Sequence, residues 1–153
     1  MPRNLPVRDV MTTEVVTFGP DDDVNEAMRT LVERGIDGAP VVAADGSVLG
    51  VLTTGDLIVK ESRLHWPTVV AILGASIELK PRGFDESLEK ALGSKVSDVM
   101  SRPAIVVEAS ATVEDAATLM SDERIARLPV VEDGRLVGIV SRVDILRGMI
   151  SAE

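Results

Sequence analysis

The sequence predicts an α/β (α+β) protein built from two β-α-β-β-α repeats, and three observations predict it. The chain repeats itself, in order, along its length. Each copy carries an apolar stripe at helical spacing shortly after a β-branched run. Each copy also carries Asp-Gly between two apolar runs, the strongest short-range hairpin signal.

The repeat is colinear. Val7-Arg8-Asp9-Val10-Met11 matches Val96-Ser97-Asp98-Val99-Met100 at an offset of 89. At that offset Val24 meets Val113, Ala27 meets Ala116, Ile36 meets Ile125, and Pro40-Val41-Val42 meets Pro129-Val130-Val131. One residue is then deleted. At an offset of 88, Asp45-Gly46 meets Asp133-Gly134, Gly50 meets Gly138 and Asp56 meets Asp144. The chain divides accordingly into a first repeat over 7–60, a connector over 61–95 and a second repeat over 96–149.

Within each repeat the elements follow in order. Val15 to Phe18 and its copy, Ala104 to Val107, read as a first strand because they are apolar and rich in β-branched residues. A helix follows, with Val24, Ala27, Met28, Leu31 and Val32 on one face in the first repeat and Val113, Ala116, Ala117 and Met120 in the second. Asp23-x-x-Glu26 and Thr112-x-x-Asp115 are start signals, in which a side-chain oxygen caps free backbone N–H groups. Gly35 ends the first helix through a left-handed residue; Arg124 stands there in the second, so a different exit is expected. Pro40 and Pro129 push the preceding residue into extended geometry and mark strand entry. The Asp-Gly hairpins come next, and a last helix starts near Thr54 and near Arg142. In the connector, Val69, Val70, Ile72, Leu73 and Ile77 suggest an apolar helix after Pro67, and Phe84 to Leu92 an amphipathic one.

Composition narrows the function. Apolar residues make up 45% and charged residues 27%, enough for a core and a soluble surface. The net charge of −9 repels duplex nucleic acid. The chain has no cysteine, which excludes disulfides, thiolate zinc sites and thiol catalysis. Its single histidine, His65, leaves little room for a multi-histidine metal site or a serine–histidine triad, and no metal site is expected. The three aromatics, Phe18, Trp66 and Phe84, provide no stacking platform for single strands. The longest apolar run, Val69 to Leu79, is too short for the roughly 20 residues of a membrane span. The N-terminus lacks the apolar stretch of a signal peptide, so a cytoplasmic location is expected.

Two segments stand out: Gly50-Val51-Leu52-Thr53-Thr54-Gly55-Asp56 and Gly138-Ile139-Val140-Ser141-Arg142-Val143-Asp144. Each sits where a strand hands over to a helix. The pattern [Ser/Thr]-x-x-Asp fits a capping box, in which the hydroxyl caps the helix and the carboxylate reaches back. It also fits a nucleotide site. A helix N-terminus presents free N–H groups and the positive end of a dipole to phosphate. A hydroxyl there can donate, and an Asp one turn on can accept from both hydroxyls of a ribose. The two roles can hold together.

The doubled pattern resembles the tandem cystathionine β-synthase (CBS) domain pair, or Bateman module, of the stand-alone bacterial type. The matching segments are VRDVMTTEVVTF, GIDGAPVV and GVLTTGDL in the first repeat and VSDVMSRPAIVV, RIARLPVV and GIVSRVDIL in the second. The resemblance runs from about residue 7 to 147, and the connector RLHWPTVVAILGASIEL is also similar to that of stand-alone members.

The resemblance implies a pseudo-twofold pair of repeats with adenosyl ligands (AMP, ADP, ATP, sometimes S-adenosylmethionine) in clefts between them. Thr53, Asp56, Ser141 and Asp144 would hold ribose and phosphate. Thr13 to Val16, including Val15, and Arg102 to Ile105, including Ala104, would offer backbone groups to the adenine edge. Gly38-Ala39 and Arg127-Leu128, before Pro40 and Pro129, would line the base or phosphate.

The two sites are expected to differ. The second repeat places Arg102, Arg124, Arg127 and Arg142 where the first has Thr13, Gly35, Gly38 and Thr54. Arginine binds phosphate through charge-assisted, often bidentate contacts, so the second repeat is expected to take the charged nucleotide. For any one of these arginines the alternative is solvated surface charge. The function implied is a regulatory sensor with no required cofactor, acting on an unknown protein partner in trans and forming a homodimer through its last helices and connector. Two alternatives are a ligand-free dimerisation module and a small hydrolase using its carboxylates.

Overall fold

The computed structural model describes residues 4–61 and 94–151. The two connector helices expected between residues 67 and 92, with His65, Trp66 and Phe84, lie outside the described residues. In chain order the elements are a 3-10 turn at Val7–Asp9, α1 (Val24–Arg34), β1 (Gly38–Val42), β2 (Val48–Thr53), α2 (Thr54–Glu61), α3 (Val96–Val99), β3 (Val107–Glu108), α4 (Val113–Glu123), β4 (Arg127–Glu132), β5 (Arg135–Ser141) and α5 (Arg142–Ser151). Contacts group residues 4–16, 42–48 and 103–151 into one compact unit and residues 17–41, 49–61 and 94–102 into another. The opening segment of the first repeat thus belongs with the body of the second, and the opening segment of the second with the body of the first.

In the unit built on the second repeat, β3, β4 and β5 form one sheet in that order. β3 runs parallel to β4, and β4 antiparallel to β5 with a bulge between Val130 and Val131. Val107, Val113, Ala116, Met120, Leu128, Val130, Val140 and Ile145 pack into one aliphatic core. Val7, from the other end of the sequence, is fully buried in that core. Backbone hydrogen bonds fasten its segment: Val7 N donates to Ala111 O at 2.7 Å, Arg8 N to Ala109 O at 3.0 Å, and Val113 N to Leu5 O at 2.8 Å.

The unit built on the first repeat mirrors this. β1 and β2 form a two-stranded sheet. Phe18, Val24, Ala27, Met28, Leu31, Ala39, Val41, Leu52 and Leu57 are buried, and so are Val96 and Val99 from the second opening segment. Val96 N donates to Asp22 O, Ser97 N to Pro20 O and Val24 N to Ser94 O, at 2.9, 2.9 and 3.1 Å. These are the counterparts, 89 residues on or back, of the bonds around Val7.

Helix starts follow the expectation. Asp23 accepts from the N–H groups of Asn25 and Glu26 at 2.8 and 3.2 Å. Thr112 and Asp115 form a reciprocal capping box, at 3.1 and 3.2 Å. The exits correct one expectation. Arg124 adopts the left-handed conformation (φ 56°) just as Gly35 does (φ 64°), so both helices end alike. The following N–H explains it: Ile125 N reaches Met120 O and Ile36 N reaches Leu31 O, both at 3.0 Å, which fixes the same closing turn.

The first strands correct another. Val15 to Phe18 forms no strand; only Phe18 makes an isolated parallel bridge, to Val41. Its copy shrinks to the two-residue β3. Phe18 N donates to Pro40 O at 3.0 Å, but Pro40 has no N–H to give back, so a longer ladder loses a donor there. Two helix faces are also narrower than expected. Val32 is 70% exposed, and Ala117 is exposed. Val32 lies on nearly the same flank of α1 as the buried Asn25 but two turns further on.

The single-residue deletion is a change of turn. Asp133 and Gly134 both have positive φ (53° and 77°), the signature of a two-residue type I′ hairpin between β4 and β5. In the corresponding turn of the first repeat Gly46 alone has positive φ (89°), and a longer loop closes through Ala43 N to Ser47 O at 2.9 Å.

Candidate functional site

Both [Ser/Thr]-x-x-Asp segments form capping boxes. In the first repeat, Asp56 N donates to Thr53 Oγ1 at 3.1 Å and Thr53 N donates to Asp56 Oδ2 at 3.0 Å. In the second, Asp144 N donates to Ser141 Oγ at 3.1 Å and Ser141 N donates to Asp144 Oδ2 at 2.9 Å. Each hydroxyl is used here as an acceptor, so its proton remains to be donated elsewhere. Each carboxylate commits Oδ2 to the box and leaves Oδ1. Capping therefore fixes the rotamers a nucleotide site needs without exhausting their chemistry.

The surroundings of Oδ1 differ between the repeats. Asp144 is almost fully buried, and its Oδ1 lies 3.7 Å from Arg147 Nη1 in a loose ion pair with an exposed guanidinium. Asp56 is half-buried, and its Oδ1 accepts a hydrogen bond from the Ser101 hydroxyl.

The glycines of the two motifs explain how Thr12 and Ser101 arrive there. Thr12 and Ile139 exchange backbone hydrogen bonds at 2.8 and 2.9 Å, and Ser101 and Val51 do so at 2.9 and 3.0 Å. A Cβ on Gly138 would stand 2.8 Å from Thr12 O and 2.7 Å from Met11 Sδ; one on Gly50 would stand 2.5 Å from Ser101 O and 3.0 Å from Met100 Sδ. Only glycine admits the opening segment so close to the strand that ends in the capping box.

This pairing sorts the sequence-predicted residues. Thr13 and Val15 share a unit with Ser141, Asp144, Arg124, Arg127 and Arg142. Arg102 shares the other unit with Thr53, Asp56 and Gly38. Its Nη2 donates to Ser97 O at 3.2 Å. Arg142 sits at the start of α5, its N–H on Ala126 O at 3.1 Å and its Nη2 at 3.5 Å from Ile125 O. Arg124 and Arg127 are exposed, and Ala104 and Ile105 are half-buried. Ala39, Leu128 and Pro129 are buried among the core residues and offer almost no surface to a ligand. Gly38 is tight against β2, where a Cβ would meet Leu52 O at 3.0 Å.

Ser101 and Arg147 are the residues that sequence reasoning missed. A signal existed for Ser101: it aligns with Thr12, so the hydroxyl is present in both opening segments. Among the described residues no cluster of His, Asp and Glu is arranged to hold a metal ion, and no helix is long and apolar enough to cross a membrane.

Comparison with known proteins gives a consistent picture. The family model for the CBS domain matches residues 7–62 and again 96–151. An uncharacterised protein of Methanocaldococcus jannaschii, MJ1426, is 37% identical over 94% of this chain and 90% of its own. The chloroplastic CBS domain-containing protein CBSX2 of Arabidopsis thaliana is 32% identical over 84% of this chain, which spans 56% of that relative's length. The crystal structure of CBSX2 in complex with AMP superposes with a TM-score of 0.74 and 28% identity, covering 97% of this chain and 98% of that one.

Proposed function

This chain belongs to the CBS-domain family, as a tandem pair of such domains, and on that premise we propose that it is a sensor of adenine nucleotides that regulates a partner protein in trans in the cytoplasm. The observation that carries the reading is the pair of capping boxes at Thr53/Asp56 and Ser141/Asp144, each with a hydroxyl proton left over at a helix start and a second carboxylate oxygen outside the box, which at Asp56 is held by the Ser101 hydroxyl. A ribose diol needs an acceptor of that kind, and the neighbouring N–H groups suit phosphate. The AMP complex of the similar CBSX2 supports an adenosyl ligand. Arg124, Arg127 and Arg142, in the same unit as Asp144, support the phosphate-bearing end there. The adenine edge falls to backbone groups of Thr13 to Val16 and of Arg102 to Ile105.

The reading is binding rather than catalysis. In the two motifs each carboxylate is bound into a helix cap. Ligand binding would act by favouring one arrangement of the module over another, which requires different affinities for the two.

A second copy of the chain is the expected assembly partner. Val143, Leu146, Met149 and Ile150 form an exposed apolar stripe on α5, and Ile58 occupies the position on α2 that aligns with Leu146. Repeated apolar faces of this kind suit an isologous pair.

A thermal-shift screen with AMP, ADP, ATP and S-adenosylmethionine tests the function. A ligand of the native state raises the melting temperature according to its concentration over its affinity. A rise with at least one of the four is expected. No shift at millimolar concentration would leave the dimerisation module as the better reading, and multiple turnovers of ATP would bring back the hydrolase.

A further inference from the structure

We propose that Ser101 is a built-in competitor for the nucleotide at the Asp56 site, and that this hydroxyl adds to the inequality of the two sites. The inference rests on the nucleotide-binding reading and adds to it the residue that sets the order of filling. Its observation is the contrast between two carboxylates that make the same capping box. Asp56 Oδ2 is held by Thr53 N and its Oδ1 by the Ser101 hydroxyl, so both oxygens are engaged within the protein. Asp144 Oδ2 is held by Ser141 N in the same way, but among the described residues no hydroxyl reaches its Oδ1.

The positions are equivalent. Ser101 and Thr12 align at the offset of 89 and make the same backbone exchange with Val51 and Ile139. The backbone brings both hydroxyl residues to the same place beside the strand, yet only the serine donates to the carboxylate. A ribose diol approaching Asp56 must displace that donor, whereas at Asp144 it must displace only an exposed guanidinium at 3.7 Å. Breaking an intramolecular hydrogen bond to an anion subtracts from the affinity gained by making a new one. The Asp144 site therefore fills first, and the Asp56 site responds at higher nucleotide concentration.

AMP titration by calorimetry into the full chain tests this, with Asp144→Asn as the background that leaves the Asp56 site as the reporter. Adding Ser101→Ala to that background should tighten AMP binding about three- to tenfold, the range of one net hydrogen bond. Ser101→Thr, which keeps the hydroxyl, should leave it unchanged. Tightening by Ser101→Ala alone supports the competitor role. An unchanged or weaker affinity, or loss of binding, with the wild-type chain still binding AMP, overturns it while the nucleotide reading stands. Absence of AMP binding by the wild-type chain overturns both.

Discussion

Thr12 and Ile139 trade two backbone hydrogen bonds, at 2.8 and 2.9 Å, although 127 residues separate them in the sequence. The exchange requires Gly138. A methyl group there would press on Thr12 O at 2.8 Å and Met11 Sδ at 2.7 Å. Gly138→Ala is expected to destabilise the protein by about 1–3 kcal/mol, the cost of overpacking against backbone. Gly50→Ala should behave alike, since its Cβ would meet Ser101 O at 2.5 Å. Gly55→Ala is the control: its nearest neighbour would be Thr53 Oγ1 at an ordinary 3.5 Å, and alanine suits a helix, so no loss is expected. Urea unfolding followed by circular dichroism measures all three.

The shared left-handed exit of α1 and α4 gives a matched pair of tests. Arg124 carries a side chain at φ 56° where Gly35 has none at φ 64°. Arg124→Gly is expected to stabilise by about 0.5–1 kcal/mol, and Gly35→Ala to destabilise by about 1 kcal/mol. Nothing within 4 Å would touch a Cβ at Gly35, so that loss would be backbone strain alone. Melting temperatures of the two variants check the signs.

Asn25 is buried, and among the described residues neither its Oδ1 nor its Nδ2 finds a hydrogen-bond partner. An orphaned buried amide costs about 1–3 kcal/mol. Asn25→Leu is therefore expected to raise stability by about 1 kcal/mol, read as a higher urea midpoint with an unchanged slope. A lower midpoint would mean that the amide is satisfied in solution.

What the sequence made legible was local. Capping at Asp23 and Thr112, the Asp-Gly hairpins and the last helices could be read because each is specified by a few adjacent residues. The opening segments could not. Val7-Arg8-Asp9-Val10-Met11 and Val96-Ser97-Asp98-Val99-Met100 are visible as copies, but nothing in a repeat says that each copy packs on the other's body. For that reason the contact of Ser101 with Asp56 is not legible in either repeat alone. The first strand is shorter than its composition suggests: β-branched residues favour extended backbone, but Pro40 withholds the donor that a longer ladder needs.

The apolar stripe of α5 predicts its own test. Leu146→Glu and Ile150→Glu place charges at exposed positions, 59% and 72% accessible, where the fold itself loses little. If that face joins two copies, light scattering at tens of micromolar will show a dimer for the wild-type chain and a monomer for the double variant. A wild-type monomer under those conditions would contradict the assembly.

The unequal pair of nucleotide sites is tested most directly by calorimetric titration of AMP into the wild-type chain and into Asp144→Asn and Asp56→Asn. The amide keeps an oxygen for the capping N–H, so the helix starts are preserved. Asp144→Asn is expected to weaken the tightest binding event about tenfold or more, as befits hydrogen bonds to a charged acceptor, while Asp56→Asn leaves that event unchanged. Equal losses from the two substitutions, or no loss from Asp144→Asn, would contradict the account.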